Sequence, residues 1–291
     1  MPKVILLPLT GTDGDRQAET TAIALAKAFD AHLIGLHVRR DVRRDIAAYA
    51  SADMGAATGL DAIMSRMEDE AAARETAASR SLADVCAKAG VPAAESPREQ
   101  SGASYEYASE MGEESDWVAE YGRTSDIVVV GRVKEAAMLN LDSIEAALMD
   151  TGKPVLIAAG DIPPALDGTV AIAWKDTRES AGAVAAALPF LRRAKRIVVF
   201  SVEEGASPDN GDTSHRRVVR ALRWHNANTE AKILPHEARH PVDVLRDALM
   251  REKCDLLVMG GYGHGRLREA VFGGFTRAVL ADAPVPVLMA H

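Results

Sequence analysis

Ser125-Asp-Ile-Val-Val-Val-Gly131 returns later in the chain as Lys253-Cys-Asp-Leu-Leu-Val-Met-Gly260, and Lys153-Pro-Val-Leu-Ile-Ala158 returns as Val285-Pro-Val-Leu-Met-Ala290. Each copy is a buried apolar run that stops at a glycine, followed some way on by a second run led by proline. A repeat spaced by nearly half the chain restricts the fold to two versions of one unit. At 291 residues each unit is long enough to hold its own core. Gly131 and Gly260 stand 129 positions apart and Pro154 and Pro286 132, so the loop between the two runs is three residues shorter in the first unit.

Both units alternate short apolar runs with alanine-rich helical stretches, the pattern of a parallel sheet with helices on both faces. In the first, Val4–Leu9 is a strand, Arg16–Phe29 a helix with Ile23, Ala26 and Phe29 on one face, and His32–Val38 a strand. Residues 41–60 lack periodicity and read as a loop or mobile insertion. A long helix from Asp61 to Lys88 stops at Gly90 with Pro92 beyond it. A weak third strand is expected at Glu95–Gln100, then a helix through Trp117 and Tyr121, the strand ending at Gly131, a helix at Ser143–Met149 and the strand Pro154–Ile157. Ala159–Gly168, with its proline pair, is a linker between units at 1–158 and 169–291. The second unit then gives strands at Thr169–Trp174, Arg196–Val202 and Glu230–Leu234, and helices at Glu179–Leu191, Ser214–Asn226 and Val242–Glu252. Aromatics are only 4% of the chain against 47% hydrophobic residues, so the cores are built from Val, Ile, Leu and Ala.

Net charge is −8, which argues against an extended nucleic-acid footprint. The one dense basic run, Arg39-Arg-Asp-Val-Arg-Arg44, is diluted by aspartate. Cys86 and Cys254 stand alone in separate units, as suits a reducing cytosol. Met1-Pro-Lys-Val-Ile runs straight into a strand with no signal peptide, and no apolar stretch reaches membrane-spanning length. The expectation is a cytoplasmic protein with no membrane and no nucleic-acid partner.

Chemistry concentrates in the last thirty-odd residues. The strand Leu256–Met259 stops at Gly260-Gly-Tyr-Gly-His-Gly-Arg266, and Gly273-Gly274 opens a helix through Ala281. A loop joining a strand end to a helix start aims backbone N–H groups outward and makes an anion cradle. Tight helix–sheet packing also demands glycine, so the two readings stand side by side. No Gly-Lys-Ser/Thr follows, which rules out a Walker A loop, and Gly261-x-Gly263-x-Gly265 is not a dinucleotide fingerprint. The first unit has Arg132-Val-Lys-Glu-Ala136 in place of these glycines, and Leu141-Asp142 opposite Gly273-Gly274. A bulky side chain and a carboxylate there would crowd and repel a phosphate.

With these motifs the chain resembles a tandem universal stress protein over nearly its whole length. That family's nucleotide pattern is Gly-x2-Gly-x9-Gly-Ser/Thr after the fourth strand, and Gly260, Gly263 and Gly273 fit it. The hydroxyl position is Gly274. The family's Asp-Gly-Ser after the first strand is replaced by Thr10-Gly-Thr12 in one unit and Lys175-Asp-Thr177 in the other. The resemblance implies an α/β fold of two doubly wound domains, each a five-stranded parallel sheet of order 3-2-1-4-5 with helices on both faces, paired through their final strands as a pseudo-dimer. It implies ATP, with Mg²⁺ as its companion, at the carboxyl ends of strands 1 and 4 of the second unit, a location the switch-point rule also gives. Backbone around Val202 and Met259 would meet adenine. Gly260, Gly263 and Gly273 would approach ribose and phosphates, with the N–H groups of Gly274 and Phe275 at the helix start. Ala173 and Tyr262 complete the implied set, and Lys175 either meets a phosphate as a point charge or is a surface lysine.

Other candidates are thin. His236 and His240 are four apart but flanked by Pro235 and Pro241, and no third metal ligand is evident. His264 either touches phosphate or caps its turn. Trp174 is core or stacks on adenine. Asp126 and Asp255 precede the fourth strand in both units, as loop or cap residues do. No catalytic residue can be picked out. The function expected is a nucleotide-dependent stress regulator or sensor with one working and one degenerate site. A scaffold that works by protein contacts and a slow ATPase are the alternatives, and a homodimer is compatible with either.

Overall fold

In the computed structural model, residues 1–44, 60–96, 102–132, 141–160, 167–202, 213–235, 239–261 and 274–291 are described. The first half runs β1 (Val4–Leu9), α1 (Asp15–Phe29), β2 (His32–Arg39), α2 (Leu60–Ala89), β3 (Ser104–Met111), α3 (Glu114–Thr124), β4 (Ile127–Val130), α4 (Leu141–Met149) and β5 (Val155–Ile157). The second half repeats the order: β6 (Thr169–Ala173), α5 (Arg178–Leu191), β7 (Arg196–Val202), α6 (Ser214–Leu222), β8 (Thr229–Leu234), α7 (Pro241–Arg251), β9 (Leu256–Gly260), α8 (Gly274–Asp282) and β10 (Val287–Ala290).

All ten strands join one sheet, ordered β3-β2-β1-β4-β5-β10-β9-β6-β7-β8. Each half therefore has the 3-2-1-4-5 order, and the halves meet through their last strands. Every pairing is parallel except that seam, where Leu156 stands opposite Leu288 in an antiparallel ladder. The central strands are buried on both faces, which is why they read as unbroken apolar runs rather than alternating ones. Two apolar layers cover the sheet. Ile5, Leu7, Phe29, Phe190, Ile197 and Leu222 belong to one, and Val118, Val128, Ile144, Leu249, Leu257 and Leu280 to the other. Both layers cross the seam: Phe29 of α1 meets Phe190 of α5 edge-on at 5.4 Å, and Arg193 lies over the Phe29 ring.

Two expectations need correction. The third strand lies at Ser104–Met111, not Glu95–Gln100, of which 97–100 fall outside the described residues. It is an edge strand whose Tyr and Glu residues are only half buried, so its apolar signal is weak. Pairing over all eight residues with β2 fixes it. The helix α6 ends at Leu222 rather than Asn226, because Asn226 turns its side-chain amide onto the carbonyls of Leu191 and Ala194. Most of the 41–60 insertion and of the linker lies outside the described residues.

Candidate functional site

Strand β6 sends its chain to one face, into α5, while its neighbour β9 sends its chain to the other, into α8. The crevice outside their carboxyl ends is the switch point of the second half. Ala173, the last residue of β6, pairs with Met259 on one side and Phe200 on the other, and Val202 ends β7. Ala173, Met259 and Gly260 are thus brought together. Tyr262, Gly263, His264 and Gly273 lie outside the described residues.

Gly260 touches the start of α5. A Cβ there would sit 2.6 Å from the backbone of Glu179 and Ser180, so no larger residue lets the helix approach the strand this closely. Gly274 is the opposite case: a Cβ there meets nothing within 4 Å among the described residues, and the residue is exposed at the first position of α8. Phe275 is half buried against the core layer, which leaves its backbone rather than its ring for any contact with solvent.

The loop after β6 is capped and electrically balanced. Thr177 caps α5 by accepting from the Ser180 N–H at 3.3 Å. Lys175 is exposed, Asp176 pairs with Arg217 at 2.9 Å, and Arg178 donates to Glu179 at 2.7 Å. That Arg178 bond, helped by the residue's own backbone N–H, holds the Glu179 carboxyl down to about 2.

The first half fills the matching crevice with its own carboxylates. Ile5 faces Ile127 as Val170 faces Leu256, and buried Ala18 and Ala22 match Ala183 and Ala187, so Asp15 occupies the place of Ser180. Asp15 accepts from the Thr10 N–H (3.1 Å), the Thr10 hydroxyl (2.7 Å) and the Gly11 N–H (2.8 Å). Glu114 opens α3 where Pro241 opens α7, and it accepts from the Ser143 hydroxyl at 2.8 Å. Burial, with Asp15 nearby, pushes the Glu114 carboxyl up despite that bond. These groups line one small shared cavity with Pro8, Val130 and Gly131. Above it, α2 lies so close that a Cβ on Gly11 would collide with the Arg74 carbonyl.

Asp15 and Glu114 were not singled out from sequence. An acid at a helix start is common for reasons of the helix dipole alone, and only the fold shows that these two converge. Arg132, in the place of Gly261, serves the seam instead, where its guanidinium donates across to the Ala283 carbonyl.

The remaining candidates resolve into structural roles. Asp126 accepts from the Lys3 and Val4 N–H groups, and Asp255 from that of Thr169, so each ties the start of the fourth strand of its half to the start of the first. Trp174 packs at the edge of the core and donates to Ser214 at 2.9 Å. His240 caps α7 through Val242 N–H, and His236 lies outside the described residues. Among the described residues no cluster of three or more His, Cys, Asp or Glu is placed to hold a metal, and no helix is long and apolar enough to cross a membrane. Both thiols are buried and pushed up to about 12 by desolvation.

A doubly wound sheet in two copies that meet through their last strands defines a class of tandem α/β proteins. Residues 168–291 match the model of the Universal stress protein family. Over its full length the chain has the fold of solved universal stress proteins. One from Archaeoglobus fulgidus DSM 4304 is 15% identical with a TM-score of 0.71, covering 99% of this chain and 95% of that one. A putative universal stress protein from Pseudomonas aeruginosa UCBPP-PA14 is 16% identical with a TM-score of 0.59, covering 99% and 93%. A protein of unknown function from Pseudomonas aeruginosa PAO1 is 15% identical with a TM-score of 0.55, covering 99% and 92%. Comparison with curated proteins gives no match.

Proposed function

We propose that the second half binds an adenine nucleotide, ATP with Mg²⁺, and that the chain acts as a cytoplasmic, nucleotide-dependent regulator in a stress response. The observation that carries this reading is the contrast between crevices. The first is filled by Asp15 and Glu114, which repel a phosphate, whereas the second has Ser180 and Pro241 at those places. The start of α8 supports it, since no described residue lies within 4 Å of where a Gly274 Cβ would sit. In this reading Val202 and Met259 backbone meets the base, Gly260, Gly263 and Gly273 the ribose and phosphates, and Lys175 supplies a point charge. Ala173 and Tyr262 flank the ligand, and the first domain is a degenerate partner. The chain's own residues bind and orient the nucleotide, and no residue is assigned to its hydrolysis.

A scaffold without nucleotide is favoured by one observation: packing against α5 is enough to require Gly260. Mass spectrometry of nucleotide released from the purified protein, with calorimetric titration of ATP and Mg²⁺, separates the two readings. About one nucleotide per chain, lost in Gly263→Asp with the fold intact, is the expected result. An empty wild-type protein with no heat of binding would overturn it and leave the glycines as packing devices.

A further inference from the structure

The two halves carry opposite charge. Residues 1–158 hold 16 Lys and Arg against 26 Asp and Glu, whereas residues 169–291 hold 18 against 14. Part of this asymmetry is organised on two helices.

Helix α6 buries Ser214, His215, Val219 and Leu222 and leaves Arg216, Arg220 and Arg223 exposed, spaced four and then three residues apart. Arg223 is held by donation to the Thr229 carbonyl, and neither Arg216 nor Arg220 makes an ion pair among the described residues. Trp224 follows at once and is 89% exposed. An aromatic ring of that size left in water beside arginines has the composition of an interface hot spot.

Helix α3 buries Val118, Ala119 and Gly122, and Glu113, Asp116 and Glu120 stand exposed at its cap and on its body, spaced three and then four. None of the three makes an ion pair among the described residues. The neighbouring Tyr121 hydroxyl is pushed up to about 12 by burial and by its bond to Glu110, with the charges of Glu110, Glu106 and Glu120 adding to this.

We propose that the chain self-associates, with Arg216, Arg220, Arg223 and Trp224 of one copy docking on Glu113, Asp116 and Glu120 of a second. Read in opposite directions, the two stripes have the same four-then-three spacing. Helices laid antiparallel therefore place Arg216 against Glu120, Arg220 against Asp116 and Arg223 against Glu113, over a span of about 10 Å. The two stripes of one chain cannot meet. Val219 and Leu222 of α6 pack on one face of the sheet and Val118 of α3 on the other. A second copy fits better than a nucleic acid, because the acidic half that repels a polyanion supplies the partner surface here. The inference is independent of nucleotide binding.

Sedimentation velocity across a concentration and salt series tests it with the full chain. Wild type is expected to associate, more weakly as salt rises. Arg220→Glu or Asp116→Arg alone should each weaken association about tenfold or more, and the double swap should restore it to within about threefold. Both positions are exposed, and a thermal melt confirms the fold of each variant. Trp224→Ala should also weaken association without changing the melt. A monomer at every concentration, or a dimer that the swaps leave unchanged, would overturn the proposal. So would salt-sensitive binding of oligothymidylate that Arg220→Glu abolishes, with no self-association, which would assign the stripe to nucleic acid.

Discussion

At the carboxyl ends of β1 and β4, two acids close the crevice, Asp15 onto the loop backbone and Glu114 onto the start of α4. At the matching ends of β6 and β9, a threonine cap and an Arg178–Glu179 pair balance the loop instead, and no described residue crowds Gly274 at the start of α8. The helices above differ as well. The 30-residue α2 presses its backbone onto Gly11, whereas the 9-residue α6 leans on Trp174 through Ser214. One topology thus gives one crevice lined by two carboxylates and a second with a serine and a proline at the matching positions. The difference lies in which side chains occupy three or four loop positions.

The largest effect expected from breaking this contrast comes from Asp15. Its carboxylate satisfies two backbone N–H groups and a hydroxyl at once, so Asp15→Ala strands three donors and should cost about 3 kcal/mol. At the equivalent Ser180, whose hydroxyl has only a 3.4 Å contact with Thr177, alanine should cost under about 1 kcal/mol. Urea midpoints of the two variants measure the difference. Equal losses would mean that Asp15 does not hold the first loop together.

Next come the glycines that end the fourth strands. Gly260→Ala drives a methyl against the α5 backbone and should cost about 2 kcal/mol. Gly131→Ala places it 3.5 Å from the Gly14 carbonyl, an ordinary contact, and should cost about 0.5 kcal/mol or less. Neither glycine has φ in the left-handed region, so the comparison reads packing alone.

The halves also differ in the sign of their carboxylate shifts. In the first, Glu19, Glu114 and Glu145 are all raised from the ordinary 4.5, chiefly by burial. In the second, Glu179, Asp247 and Glu252 are lowered, chiefly by hydrogen bonds from Arg178, Arg239 and Lys232. A raised group contributes stability fully below 4.5 and loses it as pH rises through the folded value. A lowered group contributes above its ordinary value and loses that contribution as pH falls, for Glu179 toward about 2. Glu19 is 0% exposed and has one oxygen without a partner, so it should dominate the first trend. Relative to Glu19→Gln, wild type should lose stability as pH rises from 4 to 8, seen as a divergence of thermal midpoints. Arg178→Gln should move the acid limb of the second half upward, read by Trp174 fluorescence. Parallel pH profiles for wild type and both variants would remove the contrast.

Much of this was legible in sequence. Strands such as Val4–Leu9 and Leu256–Met259 are buried on both faces and so announce themselves as apolar runs, and the family resemblance then implies sheet order and seam. The edge strand Ser104–Met111 was misplaced because edge strands carry polar residues for solubility. At the site, the spacing of Gly260 and Gly263 to Gly273 was visible, as was Asp142 facing Gly274. The filling of the first crevice was not, because Asp15, Glu114 and Ser143 come from three helices far apart in the chain. Only packing brings them around one cavity.

The smallest change proposed is at Gly274, where the family's pattern has a hydroxyl and this chain has none. Among the described residues nothing crowds the position, φ is ordinary, and serine suits a helix start. Gly274→Ser should tighten ATP binding about threefold by one added hydrogen bond, with stability changed by less than about 0.5 kcal/mol. The mirror substitution, Asp142→Gly, removes a carboxylate from the start of α4 yet should create no binding in the first half. Asp15 and Glu114 still line the first crevice and repel a phosphate. Calorimetry on the two variants puts the cause of the asymmetry to the test: if Asp142→Gly alone produced a second nucleotide per chain, charge at the helix start would be responsible, and the filled crevice would be incidental.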